Sequence, residues 1–182
     1  IRGMAADYNA WRDAGLAGWG FDDVLPYFLR AEDSWRGKSA DHGIGGPITV
    51  TPMKKHPELY PAFIAAAQTQ GFHETHDFNV PAPEGFGIPD CTIRNGRRHS
   101  AKDAYLDPAR GRSNLRIEKD ALVTRILVEG GRATGVAFER GGEKHHLRAR
   151  GEVLLCGGTF NSPQLLMPSG IGPADHLRQH GI

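Results

Sequence analysis

The sequence predicts an α/β fold with α+β elements, and three observations carry that expectation. Strand-like runs joined by glycine pairs fill residues 122–150. A continuous apolar run at 152–156 leads through Gly157 and Gly158 into a helical pattern. Helical periodicity also marks much of the first seventy residues, between loops rich in glycine and proline.

Taken in order, residues 7–11 open an amphipathic stretch broken at Gly15 and Gly18. Residues 21–29 resume the helical pattern, with Asp22 as the expected cap and Val24, Leu25, Phe28 and Leu29 at helical spacing. Residues 37–47 are polar and glycine-rich, hence a loop, and 48–50 read as a short strand ended by Pro52. A second helix is expected over 57–69, with a proline in its first turn, an alanine-rich middle and Gly71 beyond its end. Residues 77–89 hold Pro81, Pro83, Pro89, Gly85 and Gly87 and read as an irregular loop.

Residues 115–118 alternate as a strand does, and 122–128, 133–139 and 144–150 follow as three further strand-like runs. Gly130-Gly131 and Gly141-Gly142 supply the positive φ that tight hairpins need, so the expectation is an antiparallel meander. The run at 152–156 does not alternate, which is the pattern of a strand buried on both faces. A helix should then run over 162–167, with Ser162 as its cap and Pro163 in its first turn. Gly170 and Gly172 stop it, and 173–179 form a further short helix closed by Gly181.

Composition excludes several function classes. The chain has 182 residues, of which 39% are hydrophobic, enough for one domain and a remainder. Lys and Arg number 22 and Asp and Glu 21, so the net charge of +1 offers no basic field for nucleic acid. The apolar runs fall well short of the roughly 18 residues a membrane span needs. Cys91 and Cys156 stand far apart with no CxxC, which points away from a disulfide framework and from a cysteine zinc site. The chain opens on Ile1 without a signal segment; the expectation is an internal part of a longer protein, with the cytoplasm as its compartment.

Among local geometries the unit at 152–167 is the most informative. A buried strand feeding a helix N-terminus leaves free amides and partial positive charge at the strand's carboxyl end. Its plainest reading is a tight strand-to-helix turn; its functional reading is a place where a ligand's phosphate or sugar lies against the backbone. The GxGxxG fingerprint is absent, because positions 48, 90 and 175 hold Ile, Asp and Asp, and no P-loop or GxSxG occurs. Nine histidines invite a metal reading, but His73 and His76 form no HExxH motif. His145 and His146 point to opposite faces of a strand. All four read as surface residues. His99, after Arg97 and Arg98, reads as part of a solvated basic turn, with an anion site as the alternative. No catalytic or metal-binding residue is assigned.

Residues 158–172, GTFNSPQLLMPSGIG, fit the second signature of a known family at every specified position. Other family-like segments occur in the expected order: Ile1-Arg2-Gly3 with Asp7-Tyr8 and Trp11; Gly18-Trp19 with residues 23–28; Asp77-Phe78-Asn79; Gly96-Arg97-Arg98 with Ser100-Ala101; Ala104-Tyr105-Leu106; and Asn114-Leu115. Over essentially its whole length the chain resembles the glucose–methanol–choline (GMC) oxidoreductases, flavoenzymes that oxidise alcohols, and within them the choline- and alcohol-dehydrogenase-like branch. Met4, Cys156 with its two glycines, and Pro168 depart from the usual pattern, and Pro168 should shorten the signature helix by removing a backbone donor.

That resemblance implies part of an FAD-binding Rossmann-like domain together with the start of a substrate-binding domain. Residues 1–46 would be a helical and lid segment of the FAD domain, 47–98 partial substrate domain and 99–182 partial FAD domain. It implies FAD as cofactor and a small-molecule alcohol as substrate. Oxygen and a quinone-type carrier both stay open as electron acceptor, as do covalent and non-covalent attachment. The pyrophosphate fingerprint and the catalytic histidine would lie outside this sequence, so the isolated chain should not turn over. Val123 would lend its backbone to adenine, and Gly157 and Gly158 would flank the adenosine-diphosphate half of FAD. Asn161 and Ser162 would cap the helix. Two other readings stand beside this one: a silent flavoprotein-like binding module, and a lyase of the same superfamily in which FAD is structural.

Overall fold

The computed structural model describes residues 1–54 and 57–182, which form two compact units, Ile1–Leu115 and Arg116–Ile182. Helices and strands are mixed in both, as an α/β reading requires.

In the first unit, helix α1 (Ala5–Asp13) starts where the Met4 amide donates to the Asp7 carboxylate at 2.8 Å. Helix α2 (Phe21–Ala31) starts the same way: the Gly20 amide donates to Asp23 at 3.0 Å. The expected cap at Asp22 is therefore corrected. The cap is Gly20, two residues earlier, which places Asp22 inside the first turn and Asp23 three positions after the cap. Tyr8 joins the two helices, with its ring 5.3 Å from Trp11 and 5.8 Å from Phe28, both edge-to-face.

Strand β1 (Glu32–Ser34) follows α2 directly and pairs in parallel with β2 (Ile48–Val50). Glu-Asp-Ser has little strand propensity, so β1 has no signal in the sequence. Glycine makes the pairing possible: a Cβ at Gly43 would stand 1.8 Å from the Leu29 carbonyl, and one at Gly46 2.5 Å from Glu32 backbone. Helix α3 (Tyr60–Thr69) begins three residues later than its proline predicted, and Gly71 past its end takes φ +84°. Asn95 and Gly96, at φ +52° and +74°, turn the hairpin of β3 (Ile93–Arg94) and β4 (Arg97–Arg98). A single π-helical turn, Lys102–Leu106, leads into α4 (Asp107–Ala109).

The second unit is built on the meander β5 (Leu122–Glu129), β6 (Arg132–Arg140) and β7 (Glu143–Arg148), with β6 in the middle. Its turn glycines all have positive φ, between +57° and +82°, as the hairpin reading demands. Two expected strands are corrected. Residues 115–118 form no ladder; Glu118 pairs instead with Arg116 and Arg140. Residues 152–156 run without strand pairing among the described residues, and Leu154 is 81% exposed rather than buried. Apolar patterning states which segments are built for burial, but a strand exists only beside a neighbour that takes up its backbone bonds.

Helix α5 (Gly158–Leu166) begins four residues before the expected start, with Gly157 at the cap position. Ser162 and Pro163 thus lie inside the helix, and neither Asn161 nor Ser162 caps it. Pro168 does end the regular helix, which passes into a 3₁₀ turn, Met167–Ser169, and stops at Gly170 with φ +83°. Helix α6 (Ala174–Gln179) closes at Gly181 as expected.

Few side chains are deeply buried. Among the described apolar residues only Phe21, Ile64, Ile126 and Leu177 reach that state, while Phe160, Leu154 and Leu59 stand largely in solvent. The accessible surface is 13483 Å². A folded monomer of 19.8 kDa exposes roughly 8,600 Å² by the usual mass scaling.

Candidate functional site

The second unit holds a cavity of about 680 Å³ between β5, the extended segment 153–157 and α5. That size is typical of small-molecule and cofactor sites, which span roughly 300–1,000 Å³. Val123 and Thr124 line one side, Leu155, Cys156 and Gly157 another, and Asn161, Gln164 and Leu165 the helix side. Two of the three residues expected at a cofactor, Val123 and Gly157, are thereby brought to one cavity, and Gly158 is the first residue of the helix beyond it.

Register decides what Val123 presents. β6 is the central strand, so its residues alternate between serving β5 and serving β7. The Ile126 amide leaves the ladder and donates to the Ser169 hydroxyl at 2.8 Å, so Val136 opposite it serves β7, Ala137 serves β5 and Phe138 serves β7. A bulge at Thr124 leaves Val123 opposite Phe138. The amide and carbonyl of Val123 therefore point to the outer edge of the sheet, where no strand covers them among the described residues. Without that extra residue they would have been spent on the ladder.

Gly157 and Gly158 act differently from each other. A Cβ at Gly157 would lie 3.1 Å from Cβ of Asn161, so the missing side chain lets the chain close tightly onto the helix. Gly158 takes φ +82°, a conformation that costs other residues energy. The first amides of α5 have no partner within the helix and carry the positive end of its dipole.

The first unit contains a different constellation, which spacing in the sequence did not disclose. His42 is buried, with Nδ1 3.2 Å from Glu32 and Nε2 2.7 Å from Asp77. Glu32 also accepts from Arg2 at 2.5 Å and from the Gly43 amide at 3.2 Å. Asp77 accepts from the Asn79 amide at 2.8 Å. Burial works against the charged ring, but the hydrogen bonds to Asp77 and Glu32 and the charges of both outweigh it, so His42 is held above the ordinary histidine value. Burial likewise raises Asp77, and the bonds from His42 and the Asn79 amide, with the charge of Arg36, bring it below the usual carboxylate range. A carboxylate at each nitrogen gives the protonated ring an acceptor for both of its N–H groups, which is the cause of the upward shift. The partners lie 10 and 35 residues away in the chain, which is why no local motif announces them.

The other histidines take several places. His99 is buried, and its Nδ1 accepts from the Thr49 amide at 3.2 Å; the expected solvated turn is corrected, because the hairpin folds this residue back against β2. His73 and His76 are both exposed, as the surface reading expects. His145 stacks on Phe138 at 5.1 Å. Among the described residues no group of three or more His, Cys, Asp or Glu is placed to hold a metal, and no helix is long and apolar enough to cross a membrane. Cys91 and Cys156 are free thiols.

Known proteins resemble this chain throughout. The oxygen-dependent choline dehydrogenase of Brucella anthropi is 46% identical over all 182 residues, and the mitochondrial choline dehydrogenase of Homo sapiens is also 46% identical over all of them. The chain spans about a third of each, 33% and 31% respectively. Pyridoxine 4-oxidase from Mesorbium loti superposes with a TM-score of 0.86 at 37% identity, over 100% of this chain and 36% of that one. An FAD-dependent oxidoreductase from Chaetomium thermophilum gives 0.85 at 26% identity, over 100% and 34%. The GMC oxidoreductase family model matches residues 1–181, and the chain belongs to that family.

Proposed function

We propose that the chain is the part of an FAD-dependent alcohol oxidoreductase that holds the adenosine half of the cofactor and begins the substrate domain. The observation that carries this reading is the cavity onto which Val123 turns its free backbone edge and at which Gly157 closes against α5. An amide beside a carbonyl complements the acceptor and donor on adenine's edge without any special side chain. Leu155 and Leu165 supply apolar walls for the base, and the free amides after Gly157 and Gly158 suit the oxygen-rich ribose and phosphate.

When bound, FAD would supply the hydride-accepting chemistry for oxidation of an alcohol. This chain's residues fix and desolvate the cofactor's far end; the proton transfer from the hydroxyl is assigned to residues outside it. The unpaired run at 152–156 and the excess of exposed surface support packing against the remaining two thirds of a longer enzyme. Choline is the first substrate to try, followed by other primary alcohols, given the names of the relatives.

The test is anaerobic addition of choline and a panel of primary alcohols to the full-length, FAD-loaded enzyme. Loss of the oxidised flavin absorbance with formation of the aldehyde is expected. A flavin that stays oxidised against the whole panel would refute the oxidoreductase reading and favour structural FAD. The 182 residues alone should show no turnover, and robust activity from them would overturn the division of labour proposed here.

A further inference from the structure

We propose that Ser169 is a positioning residue for the cofactor: its hydroxyl is the clasp that holds the outer edge of β5 at a fixed distance from the end of α5. The proposal rests on the reading that the adenosine half of FAD occupies the cavity between those two elements. Ser169 lies in the turn after α5 and is not itself a wall of the cavity, so it acts through the residues it bonds.

Its single oxygen makes two bonds. It accepts the Ile126 amide at 2.8 Å and donates to the Leu165 carbonyl at 2.7 Å. Both partners are strategically placed. Ile126 is the most buried residue of β5 and sits three residues from Val123, on the same free edge. Leu165 is in the last turn of α5 and lines the cavity itself. One hydroxyl thus satisfies a strand-edge donor and a helix-end acceptor together, and the gap it sets is the gap that the cavity fills.

The surrounding turn is shaped to present that hydroxyl. Pro168 prevents the helix from running on, Gly170 reverses the chain at φ +83°, and the Ile171 amide closes back onto the Leu166 carbonyl at 3.1 Å. The Ser-Gly pair of the signature is accounted for in this way: serine for the two-way bond, glycine for the reversal that follows it.

The experiment uses the full-length enzyme stripped of flavin, with ADP as the probe of the adenosine half, read by calorimetry, and FAD affinity read by flavin fluorescence. Ser169→Ala should weaken ADP and FAD binding about tenfold, and Ser169→Thr, which keeps the hydroxyl, should restore both to within about twofold. Riboflavin, which lacks the adenosine half, should bind both variants equally. An alanine variant that is merely less heat-stable while its folded form binds ADP as the parent does would overturn the proposal. If the alanine variant does not fold, Ser169→Cys carries the test, since it keeps the volume and weakens both bonds: weak ADP binding supports the clasp and parental binding refutes it. Val123→Pro separates this from the underlying reading, because it removes the outward amide at a strand edge that carries no ladder bond, with circular dichroism to check that the sheet is kept. If Val123→Pro leaves ADP binding intact, the adenosine site itself is wrong; if it weakens binding while Ser169→Ala does not, only the clasp is wrong.

Discussion

The two units solve the problem of building a polar feature in opposite ways. In the first unit, Arg2, Glu32, His42 and Asp77 come from segments as far apart as residues 2 and 77 and meet through their side chains. In the second, uncharged side chains line the cavity, Thr124, Asn161 and Gln164 among them, and main chain adds the edge of Val123 and the amides after Gly157. The difference teaches where each unit is vulnerable. A site made of side chains fails when one is replaced; a site made of backbone fails when its conformation or spacing is changed.

That contrast breaks most sharply at His42. Its replacement by alanine leaves Glu32 and Asp77 facing each other without the cation, and should cost the first unit about 3 kcal/mol or more in denaturant unfolding. A loss below about 1 kcal/mol would mean that water or Arg36 takes over the charge. Gly43→Ala follows closely. Its new methyl would collide with the Leu29 carbonyl, and a loss of about 2–3 kcal/mol is expected on thermal unfolding. An unchanged midpoint would show that the segment after His42 can move away from α2.

The pH profile sharpens the comparison further. His42 is held above its ordinary 6.5, so its contribution is complete below 6.5 and is lost as pH rises through the raised value. Asp77 is held below 3.8, so its contribution is present above 3.8 and is lost as pH falls through the lowered value. Stability of the first unit should therefore be greatest between these limits. His42→Gln should flatten the alkaline limb, and an alkaline limb that persists unchanged would assign it to another group.

Smaller effects are expected elsewhere. Asp103 titrates at about 2, chiefly because the Ser100 hydroxyl and amide both bond to it. Ser100→Ala should move it back toward 3.8, readable by NMR titration of the carboxyl carbon, and no movement would deny Ser100 that role. The smallest effect belongs to Val123→Ala. If backbone does the reading, trimming the side chain should change FAD affinity by no more than about twofold. A tenfold loss would show that the isopropyl group itself packs against the base.

Much of the second unit could be read from residue order. The three meander strands, their glycine turns and the early end of the signature helix at Pro168 depend on local φ preference and a period of two, which neighbouring residues express. The cap at Gly157 was misplaced because Ser162-Pro163 is itself a good helix start, and only the tight approach of Gly157 to Asn161 shows that the helix already exists there. Residues 152–156 carry the composition of a buried strand, but no described strand lies beside them. In the first unit, β1 and the His42 cluster had no local signal, because their partners come from distant segments.

Sequence alone determined the meander and the family signature, because each is expressed over a few adjacent residues or in one long motif, and the resemblance that the signature carries supplied Val123, Gly157 and Gly158 as candidate positions. Tertiary structure alone decided that a bulge turns Val123 outward, that Ser169 bridges β5 and α5, and that His42 is buried between two carboxylates. The physical reason is range. Dihedral preference and side-chain periodicity act along the chain, while strand register, a shared hydroxyl and the field of two carboxylates exist only once distant segments have met.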